Sequence, residues 1–186
     1  MLRLVSKSPR RKEILEMVGV CFEVTLVNVE EKADTKTPSE YVQKIARKKG
    51  IAAVDIYPDD VILSADTIVV LNDKILEKPK DKADAYQMIK ALQGSCHNVY
   101  TGVYIGCKKE NIEFNFYEST KVYVVPMSEE EIEEYVNMDE PYDKAGAYAI
   151  QGFFGKYIEK IEGDYFNVMG LPICSINEKL KMIKKV

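Results

Sequence analysis

The sequence predicts an α/β fold in which helices flank one elongated, mixed and twisted β-sheet. Two observations lead to this prediction. Strand-like and helix-like patterns alternate over the first part of the chain, and two long β-like runs joined by a short turn follow them. Alternating elements favour parallel strands whereas a hairpin requires antiparallel ones, so the sheet is expected to be mixed. At 186 residues, the chain has the usual size of one domain or of two small lobes sharing a sheet.

The first part of the chain is expected to alternate strands with two helices. The segment Thr37-Pro38-Ser39-Glu40 has the pattern of a capping box with proline at the first helical position. An apolar run at 61–65 suggests a central strand covered on both faces. In chain order, the predicted elements are a strand at 2–5, a helix at 9–18 with Ile14, Leu15 and Val18 on one face, a strand at 21–27, a helix from Thr37 to about residue 54, and a strand at 61–65 that ends abruptly at Asp66-Thr67 before an apolar run at 68–71.

Antiparallel strands are expected to dominate the remainder. Asp81 can cap a helix that ends near Leu92, with Gly94 as its terminator. Ser128-Glu129-Glu130-Glu131 is a second capping box. The other predicted elements are strands at 97–107 and 112–125 joined by a hairpin turn at 108–111, a helix from Ser128 to about residue 137, a loop-rich stretch at 139–155, a strand at 158–161 and a closing helix from Leu171.

The composition excludes several classes of protein. Four scattered cysteines without a C-x-x-C pair, together with a single histidine, argue against structural zinc. Such cysteines suit a reducing cytosol, where they are expected to be small buried hydrophobes. The apolar stretch within residues 1–6 is too short for a signal peptide, and polar residues follow it at once. No apolar run in the sequence approaches about 18 residues. We therefore expect a cytoplasmic protein without a membrane partner.

The charge balance argues against nucleic-acid binding. The formal net charge is −4, and no long stripe of basic residues exists that would displace counterions from a nucleic acid. The basic residues Lys179, Lys181, Lys184 and Lys185 are interpreted as the solvated end of the last helix, where they complement its dipole.

The segment Ser8-Pro9-Arg10-Arg11-Lys12 starts the first predicted helix with charges of the wrong sign. Ser8 suits the N-cap and Pro9 the first helical position, yet three cations follow at a helix end that already carries about half a positive charge. A docked anion would reverse this cost, because free N–H groups, the dipole and the guanidinium groups would all face a phosphate. An anion site and a solvated basic turn both remain open on these residues alone.

Asp66 ends an apolar strand at the kind of edge where α/β sheets place their ligands. Its carboxylate can hold Mg²⁺ that bridges phosphates, or accept a proton from an attacking water. A cap or turn aspartate is the alternative. Residues such as Glu30, Glu31, Lys49 and Lys78 are usually solvated, and they acquire a role only if the fold brings them to Asp66.

Two segments rich in small residues, 143–152 and 163–172, suit places where the backbone approaches something closely. In the first of them, Gln151 offers an amide that is both donor and acceptor, as the edge of a pyrimidine base requires. An ordinary tight loop is the alternative.

Two common enzyme classes are excluded by their missing motifs. His97 lies in a predicted strand with no nucleophile paired to it, and there is no G-x-S-x-G, so a Ser-His-Asp hydrolase is excluded. The sequence also lacks G-x-x-x-x-G-K-[ST], which excludes a P-loop kinase or ATPase.

Taken together, these segments resemble the Maf family of nucleoside triphosphate pyrophosphatases nearly from end to end. The first matching segment is Leu4-Val5-Ser6-Lys7-Ser8-Pro9-Arg10-Arg11, which looks like the signature L-A-S-x-S-P-R-R. The later ones are Val29-Glu30-Glu31, an early acidic element; Ala46 to Lys49, like A-x-x-K; Ala65-Asp66-Thr67, like A-D-T; Lys78-Pro79, where G-K-P is expected; Thr101-Gly102-Val103, like T-G-V; and residues 143–152 and 163–172, like D-K-A-G-A-Y-x-I-Q-G and G-D-Y-x-N-V-M-G-L-P. Such motifs in the right order are specific, whereas any one alone would be weak.

The resemblance implies hydrolysis of a nucleoside triphosphate between its α and β phosphates, with a divalent cation, Mg²⁺ or Mn²⁺, as cofactor. It implies a Maf or ITPase-like architecture, a single domain over residues 1–186 with two lobes around a central cleft, in a homodimer. The sequence I-Q-G is similar to that of the branch acting on dTTP and UTP. The resemblance implies that Asp66 is the proton acceptor, that Glu31 and Lys49 are catalytic with it, and that Asp66 and Glu31 bind the metal. It further implies phosphate and metal contacts for Ser6, Arg11, Glu31, Lys49 and Lys78, and base preference for Arg10, Thr67 and Gln151.

Three positions depart from the family pattern. Val5 replaces an alanine beside Ser6, and Glu77 replaces the glycine before Lys78, which adds a carboxylate near a phosphate-binding lysine. Gly50 replaces an alanine after Lys49 and is expected to loosen a helix by up to about 1 kcal/mol.

Two further hypotheses remain beside the enzyme acting on dTTP and UTP. The chain can be a nucleotide-binding regulator of cell division and septum formation, or a house-cleaning enzyme that removes modified nucleotides such as 5-methyl-UTP before they are incorporated. The sequence does not separate the last from dTTP and UTP, because a 5-methyl group fits wherever thymine fits.

Overall fold

The computed structural model describes residues 1–183, which form seven strands, six α-helices and three short 3-10 helices. The strands are β1 (Leu2–Val5), β2 (Glu23–Thr25), β3 (Val61–Leu71), β4 (Lys74–Leu76), β5 (Cys96–Cys107), β6 (Ile112–Val124) and β7 (Ile158–Glu162). The α-helices are α1 (Pro9–Met17), α2 (Pro38–Ile56), α3 (Lys82–Leu92), α4 (Glu129–Val136), α5 (Tyr165–Met169) and α6 (Ile173–Lys181). The 3-10 helices are Glu140–Asp143, Ala145–Ala147 and Phe153–Tyr157.

The strands form one mixed sheet in the order β2-β1-β3-β5-β6-β7, with β4 paired to β3. Strand β1 runs parallel to both β2 and β3, because α1 and α2 provide the crossover connections that parallel neighbours need. Strand β4 is antiparallel to β3, and β7 is antiparallel to β6. The predicted mixed α/β sheet is therefore confirmed.

The predicted helix starts are also confirmed. Thr37 and Glu40 exchange the two hydrogen bonds of a capping box, and Ser128 and Glu131 do the same at α4. At α3, the side chain of Asp81 accepts a hydrogen bond of 2.8 Å from a backbone N–H of the first turn. These local contacts explain why the helix boundaries follow so closely from the sequence.

Several predictions near the N-terminus are wrong in detail. Helix α1 ends at Met17, and Val18 is 44% exposed instead of sharing the buried face of Ile14 and Leu15. Strand β2 has three residues instead of seven, because its pairing partner β1 matches it over only three positions. Ser8 makes no side-chain cap, and its backbone N–H donates to the hydroxyl of Ser6 at 3.1 Å.

Strand β3 corrects a further prediction, because it continues without a break from Val61 to Leu71. Asp66 therefore lies within a strand instead of ending one. Strand β4 and helix α5 were not predicted, since they are short. The cysteines also differ from expectation, because Cys107 is buried whereas Cys21, Cys96 and Cys174 are exposed. The interpretation of a basic helix end holds for Lys179 and Lys181 in the last turn of α6, while Lys184 and Lys185 lie outside the described residues.

The chain divides into two compact units. The first unit contains Met1–Asp66, Thr101–Glu118 and the chain from Gly170 onward. The second unit contains Thr67–Tyr100 and Ser119–Met169. Strands β3, β5 and β6 contribute residues to both units. Among residues 1–183, no helix is both long and apolar enough to cross a membrane.

Each unit has its own apolar core. In the first unit, α2 packs on the sheet through Ala46, Ala53 and Val54, which meet Val5 and Ile62. The core of the second unit is larger and rich in aromatic residues. His97, predicted as a strand residue, is buried in β5 with Nε2 at 2.7 Å from the hydroxyl of the core residue Tyr148. Burial lowers the pKa of His97 to about 4, so this imidazole is neutral at physiological pH and serves packing.

Gly50 explains one departure from the family pattern. A Cβ at this position would overlap the ring of Tyr104, which comes within 2.7 Å at Cγ. Tyr104 is 3% exposed and belongs to the core of the first unit. The expectation that Gly50 merely loosens α2 is therefore wrong, because its missing side chain makes room for an aromatic ring.

We expect Gly50→Ala to destabilise this protein by about 1–3 kcal/mol, although alanine has the better helix propensity, because the added methyl overpacks the core. Urea denaturation measures the free energy of unfolding. The matched control is the same substitution in a Tyr104→Leu background, where it should become neutral or stabilising. Stabilisation by Gly50→Ala in both backgrounds would contradict the account.

Candidate active site

Lys49 brings two predicted site residues together in the first unit. Its Nζ lies 2.9 Å from Oδ1 of Asp66 and 2.7 Å from Oε2 of Glu31. The side chains of Lys49 and Asp66 are only 11% and 15% exposed, whereas that of Glu31 is 60% exposed. One nearly buried ammonium group therefore connects a nearly buried carboxylate to an exposed one.

The register of α2 against β3 places this ion pair. Side chains two apart on a strand share a face, as do side chains three apart on a helix. Ser64 and Asp66 are such a pair on β3, and Ala46 and Lys49 are such a pair on α2. The buried hydroxyl of Ser64 donates a hydrogen bond of 2.7 Å to the carbonyl of Ala46. This bond fixes the helix along the strand at the position where Lys49 reaches Asp66.

The pKa of Asp66 is raised above its ordinary value, chiefly because burial disfavours the charged form. The charge and hydrogen bond of Lys49 oppose this shift, as does the charge of Arg11, while the negative charge of Glu31 adds to it. Burial also lowers the pKa of Arg11, and the charge of Asp66 opposes that change. Each buried charge is thus partly compensated by an opposite charge in the same cluster.

The N-terminal segment holds Arg11 beside this cluster. The Nε of Arg11 donates to the carbonyl of Gly170 at 2.8 Å, and its Nη1 donates to the hydroxyl of Ser6 at 3.3 Å. The Ser6 hydroxyl also accepts the N–H of Ser8. A cation in the first turn of α1 is therefore kept in place by a backbone carbonyl and a hydroxyl. Arg10, next to it, is partly buried and contributes to lowering the pKa of Arg11.

We call Ser6, Arg11, Glu31, Lys49 and Asp66 the charged cluster. Arg10 also belongs to the first unit, and the remaining predicted site residues, Thr67, Lys78 and Gln151, belong to the second. Thr67 follows Asp66 on β3, and Lys78 and Gln151 are exposed. Gln151 lies just before the 3-10 helix Phe153–Tyr157, and the carbonyl of Glu77 accepts the N–H of Gly146 at 3.1 Å. This bond ties the segment before Lys78 to the segment before Gln151.

Sequence reasoning missed two residues that hold the charged cluster. Gly170 acts through its carbonyl, which any residue has, so no side-chain signal exists for it. Ser64 lies in an apolar run, where a buried hydroxyl is the exception, and this is a signal that was available.

The carboxylates of Asp66 and Glu31 fit a divalent cation. Mg²⁺ is commonly bound by one or two carboxylates, with substrate phosphates and water completing its shell. Both side chains contact the same Nζ, so they converge on a place where a positive charge is already stabilised. Within residues 1–183, no group of three or more His, Cys, Asp or Glu side chains forms a metal cage. The donor set therefore suits a cation shared with a substrate.

We expect Asp66→Asn to be as stable as the parent protein in acid and more stable at neutral pH. A carboxyl group with a raised pKa binds its proton more tightly in the folded state. Below the pKa of an unfolded aspartate, about 3.9, the Asp66 carboxyl group makes its full contribution to the free energy of unfolding. This contribution is lost as the pH rises through the pKa of Asp66 in the folded state. Urea denaturation over a pH series measures the difference.

The exposed Asp34 provides the matched control, because Asp34→Asn should leave the free energy of unfolding nearly unchanged across the same series. An Asp66→Asn protein that loses stability relative to the parent as pH rises would show that pairing with Lys49 outweighs burial, contrary to this account.

Known proteins resemble this chain over its whole described length. Residues 1–183 match the family described as Maf-like protein. A dTTP/UTP pyrophosphatase of Thermoanaerobacter sp. strain X514 is 48% identical over 179 residues, covering 96% of this chain and 94% of the relative. A dTTP/UTP pyrophosphatase of Bacillus anthracis is 45% identical over 179 residues, covering 96% and 93%.

A solved structure supports the fold independently. The Staphylococcus aureus Ham1 protein superimposes with a TM-score of 0.52 at 11% identity, covering 98% of this chain and 99% of that one. At this identity, the likeness concerns the fold alone, and it confirms the predicted mixed α/β fold. The family match and the relatives confirm the resemblance that the sequence motifs indicated: this chain belongs to the Maf family.

Proposed function

We propose that this chain is a nucleoside triphosphate pyrophosphatase that hydrolyses dTTP and UTP to the monophosphate and pyrophosphate. The substrate assignment follows its relatives, which are 43–48% identical over nearly the whole chain and are named dTTP/UTP pyrophosphatase. The chemistry follows the charged cluster, and the single observation that carries it is the nearly buried Asp66, whose Oδ1 lies 2.9 Å from Nζ of Lys49.

Asp66 is the proton acceptor for the attacking water in this proposal. A carboxylate is a better base when its pKa is raised toward the working pH, provided that it stays ionised. Burial raises the pKa of Asp66, and the nearby charges of Lys49 and Arg11 limit the rise. The cluster therefore balances base strength against ionisation at one carboxylate.

The triphosphate is held by the cations and hydroxyl at the start of α1. Phosphoryl transfer depends on positioning and charge neutralisation more than on covalent chemistry. Arg11 and Ser6 are already hydrogen-bonded to each other, so the guanidinium group has a fixed position before a phosphate arrives. Lys49 and Lys78 supply further positive charge.

A divalent cation, Mg²⁺ or Mn²⁺, would be held by Glu31 and Asp66 and would supply charge neutralisation at the phosphates and acidification of water. This cation would add to the positive charges of Lys49 and Arg11, which already act on Asp66. The ammonium group of Lys49 favours the ionised form of Asp66, which is the form that a metal ion requires, and contacts the carboxylates of both Asp66 and Glu31.

Base preference is assigned to Arg10, Thr67 and Gln151. The exposed amide of Gln151 can both donate to and accept from a pyrimidine edge. A pocket for thymine also accommodates the 5-methyl group of 5-methyl-UTP, so removal of such modified nucleotides belongs to the same proposal. Glu77 does not oppose it, because its side chain is exposed and its backbone does not adopt a positive φ that would require glycine. A homodimer and a cytoplasmic location stay predictions.

We expect the purified protein to release pyrophosphate from dTTP and UTP in the presence of Mg²⁺ or Mn²⁺, and Asp66→Asn to lower kcat by about 10²- to 10⁴-fold because the proton acceptor is lost. A pyrophosphate-release assay over canonical and modified triphosphates measures both. A chelator in excess over the cation should abolish turnover.

Asp34→Asn serves as the matched control and should keep parental activity, since this exposed side chain lies outside the charged cluster. Near-normal turnover by Asp66→Asn would refute the assignment of the proton acceptor. Binding of dTTP without pyrophosphate release by the parent protein would refute the enzyme and support the nucleotide-binding regulator of cell division.

A further inference from the structure

Glu140 is a carboxylate that no part of the proposed mechanism uses, yet the turn after Gln151 is built around it. Its Oε2 accepts the backbone N–H of Phe153 at 2.8 Å, and its Oε1 accepts that of Phe154 at 3.2 Å. These N–H groups open the 3-10 helix Phe153–Tyr157, whose first turn has no partner within its own helix. The carboxylate therefore caps the segment that directly follows Gln151.

Gly152 shows how closely this carboxylate approaches the turn. A Cβ at Gly152 would overlap the Glu140 carboxylate, with Oε1 only 2.7 Å away and Oε2 closer still. Only glycine leaves room for the charge at this point of the chain. The carboxylate thus fills the space beside the residue that follows Gln151.

A second contact fixes Glu140 itself. The hydroxyl of Tyr135 lies 3.0 Å from Oε1 of Glu140 and 3.1 Å from the carbonyl of Ala147. Tyr135 is fully buried, and its ring lies 5.1 Å from that of Phe154. Burial, with the charge of Glu140, raises the pKa of Tyr135, so the hydroxyl keeps its proton and remains a donor. Because Tyr135 belongs to α4, this helix provides the hydroxyl group that holds the carboxylate.

The chain before Gln151 is anchored as well. The hydroxyl of Tyr148 meets Nε2 of His97 on β5 at 2.7 Å, and Tyr148 packs against Phe154 with ring centroids 5.0 Å apart. Gln151 itself is exposed. An exposed amide is thus presented by a turn whose two flanks are fixed by buried groups.

We propose that Glu140 is a positioning residue for nucleobase recognition, which holds Gln151 by capping the turn Gly152–Phe154. The inference rests on the proposed function, because it needs Gln151 to contact the base. It predicts that Glu140 affects how well the enzyme distinguishes bases and not the chemistry at phosphorus, since its contacts lie in the second unit around Gln151.

The test is Glu140→Gln, which keeps the size of the side chain but offers one acceptor oxygen where the carboxylate offers two. One of the two capped N–H groups then faces an amide NH₂. The readout is the ratio of kcat/KM for dTTP to that for dATP, since these substrates differ only in the base. We expect this ratio to fall about tenfold through a higher KM for dTTP, with kcat for dTTP changing less than about twofold.

Three further variants make the result decisive. Glu134→Gln, on the exposed face of α4, is the matched control and should change nothing. Tyr135→Phe removes one hydrogen bond to Glu140 while keeping the ring, and should shift the same ratio by a smaller factor. If Glu140→Gln does not fold, Tyr135→Phe is used for the test instead. Gln151→Ala should lower the ratio at least as much as Glu140→Gln.

The possible failures are distinguishable. If Gln151→Ala lowers the ratio and a folded Glu140→Gln leaves it unchanged, the inference about Glu140 is overturned and the proposed function stands. An equal loss of kcat on dTTP and dATP by Glu140→Gln also overturns it, because the role is then structural only. If Gln151→Ala leaves the ratio unchanged, the assignment of Gln151 and the inference fall together, and absence of turnover by the parent protein overturns the proposed function.

Discussion

The contact of Lys49 with Asp66 and Glu31 is the interaction on which the candidate site depends. Burying Asp66 costs free energy, which appears as a raised pKa, and the ammonium group 2.9 Å away limits this cost. The contact exists only if α2 lies at one position along β3. The hydrogen bond from Ser64 to Ala46 and the fit of Tyr104 against Gly50 both act on that position. The packing of the first unit therefore determines the electrostatics of the site.

Contacts with backbone atoms also hold the functional side chains in place. Gly170 fixes Arg11 with a carbonyl, and Glu140 fixes the turn after Gln151 by accepting two N–H groups. The supporting residues, Gly170 and Glu140, have no proposed contact with the substrate themselves. The scaffold thereby supplies the positions of the recognising and reacting groups.

Much of the fold follows from local signals in the sequence. The capping boxes at Thr37 and Ser128 set the starts of α2 and α4, because the residues that make these contacts are three apart in the chain. The misplaced cations at Arg10 and Arg11 and the carboxylate of Asp66 within an apolar run indicated the site, since each breaks a local rule. The partners of these groups did not follow from local signals. The convergence of Glu31 and Asp66 on Lys49 depends on tertiary register, and Glu140 resembles its solvated acidic neighbours until the turn folds onto it.

In the proposed reaction, the charged cluster directs water to the α-phosphorus of a nucleoside triphosphate. The most direct measurement is hydrolysis of dTTP in water labelled with oxygen-18, followed by mass spectrometry of both products. Attack at the α-phosphorus should give one labelled oxygen in dTMP and none in pyrophosphate, because the attacking oxygen stays with the phosphorus it attacks. Label in pyrophosphate, or formation of dTDP and phosphate, would contradict this reaction.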